Sequence, residues 1–147
     1  MQFTKAEEYG MQGVLHLADK GKDEVTPLSE ISEARDIPEK FLAKIFQALS
    51  RSGILRSHRG VRGGFTLAKP PGDITVKDVL EAIQGPYHLT KCISDPDSCP
   101  RSSRCAMRDL LTTAQEQLLD VFVKHTLEDI VHLERAKMAA LPEKLIS

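Results

Sequence analysis

The sequence predicts a mainly α-helical chain with one small β-hairpin. Helix-capping patterns precede apolar residues at helical spacing, a glycine-rich tip separates two strand-like runs, and a long periodic segment follows a cysteine-bearing loop. With 147 residues, 41% hydrophobic and 28% charged, the chain has the composition of one globular domain with an appended element. We expect no membrane span or signal peptide, because no uncharged apolar run is long enough, and we expect a cytoplasmic protein.

The first two helices are predicted from the residues at their N-termini. Thr4 and Glu7 have the spacing of a capping box, and the apolar residues that follow favour a helix over about residues 5–19. Thr26 and Pro27 are interpreted as the N-cap and first position of a short second helix, because proline is favoured where a helix begins.

A third helix is predicted to begin at Pro38 and to end at Gly53, a typical C-terminal cap. Its apolar residues recur at helical spacing and predict one buried face, made of Phe41, Leu42, Ile45, Phe46 and Leu49. Because only a tight connection separates the second helix from the third, the pair predicts a helix-turn-helix.

After Gly53 the pattern changes to short strand-like runs. Residues 54–58 and 65–68 flank the tip Arg59-Gly60-Val61-Arg62-Gly63-Gly64, which has the composition of a hairpin turn. Its glycines also suggest a phosphate cradle, but such loops run from a strand into a helix, whereas this one runs into a second strand pattern. We therefore predict a winged helix-turn-helix domain over residues 1–86.

The wing carries a local positive charge that the net charge of −1 conceals. Residues 51–69 contain five lysines and arginines and no acidic residue, which is typical of a surface that meets a polyanion, although a solvated turn would also tolerate them. We expect the third helix to enter the major groove of double-stranded DNA and the wing to reach the minor groove or its phosphates. The candidate DNA-binding residues are Glu39, Lys40, Ala43, Lys44, Arg56, His58, Arg59 and Arg62.

A fourth helix and a loop follow the wing. Thr75 and Asp78 have capping-box spacing, and the helix that they begin ends at Gly85. Residues 87–105 are then rich in proline, aspartate and serine, which predicts a loop.

The three cysteines of the chain, Cys92, Cys99 and Cys105, all lie in this region. Buried small hydrophobes would be expected in the periodic helices instead, and a disulfide would leave one thiol over. A structural zinc site usually shows closely paired cysteines, which are absent, so zinc is an alternative. Three thiolates on a flexible loop suit an iron-sulfur cluster, whose several irons spread the ligands more widely.

Residues 106–147 are predicted to form a dimerisation helix followed by a shorter helix, capped by Thr126 and Asp129, and a tail. The long helix has a heptad-like apolar seam that is wider than one small domain needs, and a partner helix would cover it. An intrachain seam is the alternative. The seam consists of Met107, Leu111, Ala114, Leu118, Val121 and Phe122.

The segment SHRGVRGGFTLAKPPGDITVKDVLEAIQG, the three cysteines after it and the long helix together resemble the family of iron-sulfur winged-helix transcription regulators that includes IscR, NsrR and RirA. The resemblance covers roughly residues 1–135. It implies a bacterial homodimer that binds a two-fold operator, as a repressor, with DNA affinity set by the cluster. Its cysteine ligands correspond to Cys92, Cys99 and Cys105, and the cluster is of the [2Fe-2S] or [4Fe-4S] type.

At the position of the fourth ligand, this chain differs from part of the family. IscR-like members have a histidine three positions after the last cysteine, where this chain has Arg108, whose guanidinium is not a normal iron ligand. NsrR-like members use an acidic residue near the N-terminus, donated across the dimer, and Glu8 resembles it. His88, a small thiol or water are the alternatives.

Two rival classes remain at this point. A thiol- or zinc-based regulator would have the same fold. An iron-sulfur electron carrier without a DNA role is disfavoured by the basic wing. We expect no enzyme, because the chain has no recognisable nucleophile-base pair or cofactor loop.

Overall fold

The computed structural model describes residues 3–143 and is mainly helical with one small wing, as the sequence predicts. Within these residues the elements are α1 (Lys5–Lys20), α2 (Leu28–Arg35), α3 (Glu39–Arg51), β1 (Leu55–His58), β2 (Gly64–Leu67), α4 (Val76–Gln84), α5 (Lys91–Ser94), α6 (Ala106–Lys124) and α7 (Leu127–Ala140). Single 3-10 turns lie at Pro71–Asp73, Pro96–Ser98 and Ser102–Arg104. No helix of the described part is long and apolar enough to cross a membrane.

One apolar core joins α1, α2 and α3 to the wing and to α7. Its fully buried side chains include Val14, Leu17, Ile31, Leu42, Phe46, Leu49 and Leu127. The helices approach closely because α1 carries glycine where it crosses α3. A Cβ built on Gly13 would lie 2.6 Å from the ring of Phe46, so this contact leaves no room for a larger residue.

Local signals in the sequence set most helix ends. The three predicted capping boxes, Thr4–Glu7, Thr75–Asp78 and Thr126–Asp129, are all formed. At the end of α3, Gly53 adopts a φ of 81°, and the N–H of Ile54 donates to the carbonyl of Leu49 at 3.0 Å. This hydrogen bond is typical of a Schellman motif, and it turns the chain directly from α3 into β1.

The wing is an antiparallel pair in which Leu55 lies opposite Leu67 and His58 opposite Gly64. A third segment pairs with it. The N–H of Thr26 donates to the carbonyl of Phe65 at 3.0 Å, and the N–H of Phe65 donates back at 2.9 Å. The prediction that Thr26 and Pro27 are the N-cap and first position of α2 is therefore wrong. The helix begins at Leu28, because the backbone of Thr26 is used by the sheet.

Two further predictions need correction. Phe41, assigned to the buried face of α3, is 60% exposed, because the helix turns this position away from the core. Residues 87–105 are not a plain loop. They fold into α5 and two 3-10 turns. Pro96 and Pro100 keep these elements short, and backbone carbonyls of the segment accept hydrogen bonds from N–H groups three or four residues later.

The helix α6 has one buried residue, whereas α7 packs against the core. Gln115 is the one buried residue of α6, and its Oε1 accepts from the N–H of Leu89 at 2.8 Å. α7 returns to α1, where Arg135 pairs with Asp19 at 2.8 Å. The division of the chain into a winged domain (1–86), a cysteine-bearing loop (87–105) and a dimerisation region (106–147) stays a proposal. Residues 1–2 and 144–147 lie outside the described part.

His16 lies between α1 and α2 in a partly buried polar network. Its Nε2 is 3.9 Å from Glu30 Oε1, too far for a hydrogen bond, and is buried without a partner. Burial lowers the pKa of His16, the positive charges of Arg35 and Lys20 lower it further, and Glu30 opposes them. The neutral imidazole is therefore the form that fits this helix pair.

Acid should destabilise the fold partly through His16. Because its pKa is lower in the folded state, the unfolded chain takes up the proton first, and stability is lost as the pH falls through about 6.5, the pKa of an unperturbed histidine. We expect His16→Gln to lose less unfolding free energy than the wild type between pH 7.5 and pH 5.5, in urea titrations at one protein concentration. Equal losses in the two proteins would contradict this.

Candidate nucleic-acid interface and cysteine loop

The outward face of α3 is basic. Lys40, Lys44, Gln47 and Arg51 are all exposed, and their spacing places them along one face of the helix. Gln47 is not among the residues predicted from the sequence, although its position three residues after Lys44 places it on the same helix face. Glutamine can bind adenine through two hydrogen bonds, so this residue adds a candidate base contact.

The other helical candidates lie to one side of this face. Glu39 is exposed at the first position of α3, and Ala43 is half-buried. An acidic side chain can accept from the amino group of cytosine, and an alanine offers a methyl contact only. Their roles in binding DNA stay predictions.

The wing presents two arginines on a narrow tip. Arg59 and Arg62 are exposed, and Arg56 is exposed on β1. Gly60 adopts a φ of 105°, which glycine tolerates, and its carbonyl accepts from the N–H of Gly63 at 2.9 Å. The tip is thus a tight turn that leaves both guanidinium groups accessible.

His58 has a different environment from the arginines. It is half-buried, and its Nε2 lies 3.0 Å from the Thr66 hydroxyl on the opposite strand. This contact orients the imidazole across the hairpin. Part of its hydrogen-bonding capacity is therefore used within the wing.

The three cysteines are unpaired and half-buried. Cys92 lies in α5, Cys99 follows a 3-10 turn, and Cys105 is the N-cap residue of α6. Among residues 3–143 no three His, Cys, Asp or Glu side chains are grouped closely enough to hold a metal ion. The described chain therefore carries the thiols on one loop without bringing them together.

Arg108 fastens this loop to α6. Its Nε donates to the carbonyl of Cys92 at 3.0 Å, and the Cys92 sulfur lies 3.0 Å from the Thr90 hydroxyl. Arg108 also lines a cleft of about 390 Å³ together with Asp97 and Cys99. The residue that replaces the histidine of IscR-like proteins thus makes a structural contact to a cysteine-bearing segment.

The candidates for a fourth ligand lie near the start of α1. Glu7 is buried and caps the helix, whereas Glu8 is exposed and pairs with Lys5 at 3.0 Å. His88 lines a separate cleft with Thr4 and Glu7. Glu8 is thus free of the capping role and accessible from solvent.

The predicted seam of α6 divides between two adjacent faces of the helix. Leu111, Leu118 and Phe122 are half-buried, whereas Met107 and Val121 are 58% and 52% exposed. Ala114 is also exposed, and Leu110, which widens the predicted seam, is 60% exposed. The outward residues 107, 110, 114 and 121 have heptad spacing. The described chain leaves this outward stripe uncovered.

The arrangement of helix-turn-helix, wing and long helix is that of the winged-helix transcriptional regulators. The structure is similar to IscR of T. potens, with a TM-score of 0.75, 22% identity and coverage of 97% of this chain and 93% of the other. It is also similar to CymR, the global cysteine regulator of B. subtilis, with a TM-score of 0.70, 24% identity and coverage of 90% and 98%.

The sequence defines the family more narrowly. The chain is 31% identical over 136 residues to an HTH-type transcriptional regulator of Aquifex aeolicus, which covers 91% of this chain and 94% of the relative. Residues 3–133 match the Rrf2 family, described as "Iron-dependent Transcriptional regulator". The chain belongs to the Rrf2 family. It is a DNA-binding transcriptional regulator and not an enzyme, and the resemblance seen in the sequence is confirmed.

The contact of Arg108 can be tested through the reactivity of the thiols. We expect Arg108→Ala to accelerate labelling of Cys92 by a thiol reagent roughly tenfold. The expectation follows because the loss of one charged hydrogen bond, about 1.5 kcal/mol, eases local opening. Labelling is followed at each cysteine by mass spectrometry. Arg104→Ala, at an exposed position, is the control, and an equal acceleration in the control would contradict the assignment.

Proposed function

We propose that this regulator is a cytoplasmic homodimer, acting as a repressor, whose affinity for a two-fold operator is set by an iron-sulfur cluster. Cys92, Cys99 and Cys105 supply three ligands, and Glu8 of the second subunit supplies the fourth. The observation that carries the proposal is the position of three free, half-buried thiols between a DNA-binding fold and an uncovered helix.

The chemistry of the donors fits such a cluster. Thiolates are the usual ligands of iron-sulfur clusters, and a carboxylate can be the fourth ligand beside three thiolates. Because the thiols are not grouped within one chain, the loop would close around the cofactor as it binds. The cluster would supply a centre that responds to iron, oxidants or nitric oxide.

The chain's own residues provide a route from this loop to the DNA-binding surface. Arg108 holds Cys92 and Gln115 holds Leu89, so the N-terminal part of the loop is attached to the long helix, and its C-terminal end enters that helix directly at Cys105. Glu8 lies on α1, which packs against α3. If Glu8 binds in the other subunit, closing the loop also fixes the spacing of the two DNA-reading helices.

The outward stripe of α6 is the proposed dimer contact. A helix of 19 residues with one buried residue gains little from its own chain, and apolar residues at heptad spacing suit a second helix. A symmetric pair of winged domains would then match an operator with two-fold symmetry.

Purification without oxygen tests the cluster. We expect a coloured protein that contains iron and acid-labile sulfide in equal amounts, with the visible absorption abolished in a triple Cys→Ser variant. Glu8→Gln should alter the spectrum without abolishing folding, and Glu33→Gln, an exposed acid on α2, should not. Protein without iron or sulfide, together with operator binding that survives removal of all three thiols, would overturn the proposed sensor.

The role of the wing is tested by removing its two arginines. We expect Arg59→Ala/Arg62→Ala to weaken operator binding at least tenfold and to flatten its salt dependence. The slope of log affinity against log salt should change by about 0.9 for each phosphate that the variant no longer neutralises. Lys22→Ala/Lys137→Ala removes two exposed charges elsewhere and should leave affinity unchanged in gel-shift titrations. Equal affinities of the wing variant and the control would contradict the assignment.

A thiol-based or zinc-based regulator is the second candidate. The supporting observation is that the three thiols are unpaired and partly exposed, which leaves them open to reversible oxidation. A colourless protein whose DNA affinity changes on oxidation would favour thiol chemistry, and stoichiometric zinc would favour a metal site.

A further inference from the structure

Phe41 is an exposed aromatic residue on a helix whose other apolar residues are largely buried. It lies in the first turn of α3 with 60% of its surface exposed, whereas Leu42, Phe46 and Leu49 are fully buried. An aromatic ring left in water carries an unfavourable free energy that burial would remove. Its position beside Lys40 places it at the edge of the basic face of α3.

The ring forms one wall of an apolar cleft between α1 and α3. The cleft has a volume of about 410 Å³ and is lined by Lys5, Ala6, Tyr9, Phe41, Lys44 and Ile45. Lys5 and Lys44 are both exposed at its rim. Lys5 pairs with Glu8 at 3.0 Å, so Lys44 supplies the positive charge beside the apolar walls. The cleft therefore combines carbon surfaces with positive charge.

These features favour duplex DNA as the occupant. Residues in the first turns of a recognition helix meet base edges, and the major groove presents one apolar group, the 5-methyl of thymine. Lys44 matches the charge of the flanking phosphates.

We propose that Phe41 is a specificity-determining residue that contacts the 5-methyl group of a thymine in each half of the operator. The inference rests on the proposed placement of α3 in the major groove. Phe41 would give the protein a preference for thymine. The neighbouring lysines do not supply this preference, because ammonium groups recognise guanine or phosphate.

The test compares thymine with uracil, which differs from it only by this methyl group. An operator is first selected from random duplexes with the wild-type protein, and each thymine is then replaced singly by deoxyuridine. We expect one position in each half-site at which wild-type affinity falls about fourfold, the effect of removing one methyl group from an apolar contact. At the same position Phe41→Ala should bind thymine and uracil operators equally, and Phe41→Leu should keep part of the difference.

Two measurements keep the proposal falsifiable. Met138→Ala removes another exposed apolar side chain, from α7, and should retain the full thymine preference. Circular dichroism checks that each variant is folded, and Phe41→Leu replaces Phe41→Ala if the latter is not. A wild-type protein that does not distinguish uracil from thymine, or a Phe41→Ala variant that distinguishes them as well as the wild type, would overturn the role of Phe41.

A failure of the proposed function gives a different result. If no sequence is enriched in the selection, the placement of α3 in the major groove fails together with this inference. If a sequence is enriched and only the uracil comparison fails, Phe41 alone loses its role. A loss of affinity in Phe41→Ala that is equal for both operators would leave the thymine preference intact, and Phe41 would then contact the DNA without reading the methyl group.

Discussion

The close packing of α1 against α3 is the constraint on which the rest of the structure depends. Gly13 allows the ring of Phe46 to approach so closely that an added Cβ would lie 2.6 Å from it, and Gly10 makes a similarly close approach to Ile83 of α4. Larger residues here would overpack the core, which typically costs about 1–3 kcal/mol. Because the buried face of α3 is fixed in this way, the direction of its basic face is fixed as well.

The wing is part of the same unit as α3. Thr26 exchanges two backbone hydrogen bonds with Phe65, and the rings of Phe65 and Phe46 meet edge to face at 5.0 Å. The strand β2 is thereby joined to the start of α2 and to the core of α3. A rigid joint between wing and helix suits a protein that must place both on one duplex at the same time.

The proposed sensor depends on how the cysteine loop is attached. Arg108 and Gln115 connect the loop to α6, while Arg35 of α2 hydrogen-bonds to Gln12 of α1 and to Glu134 of α7. The first two contacts attach the cysteine loop to the proposed dimer helix, and the other two attach the helix-turn-helix to α1 and α7. A coupling free energy of about 1–3 kcal/mol between such sites changes affinity about 5-fold to 150-fold.

The sequence alone determined the features that arise from neighbouring residues. The capping boxes, the glycine that ends α3 and the glycine-built wing were predicted correctly, because each depends on groups within a few positions. The family followed from the wing and cysteine pattern together. For the candidate site, the sequence identified the exposed lysines and arginines and the three thiols.

The tertiary structure decided what depends on distant partners. Thr26 pairs with the sheet instead of capping α2, Phe41 is exposed instead of buried, and Arg108 donates a hydrogen bond to the backbone of Cys92. The residues of the predicted seam of α6 likewise divide into a half-buried set and an exposed set. Periodicity reports which residues share a face, but the neighbour that each face meets is chosen by packing between elements far apart in the chain.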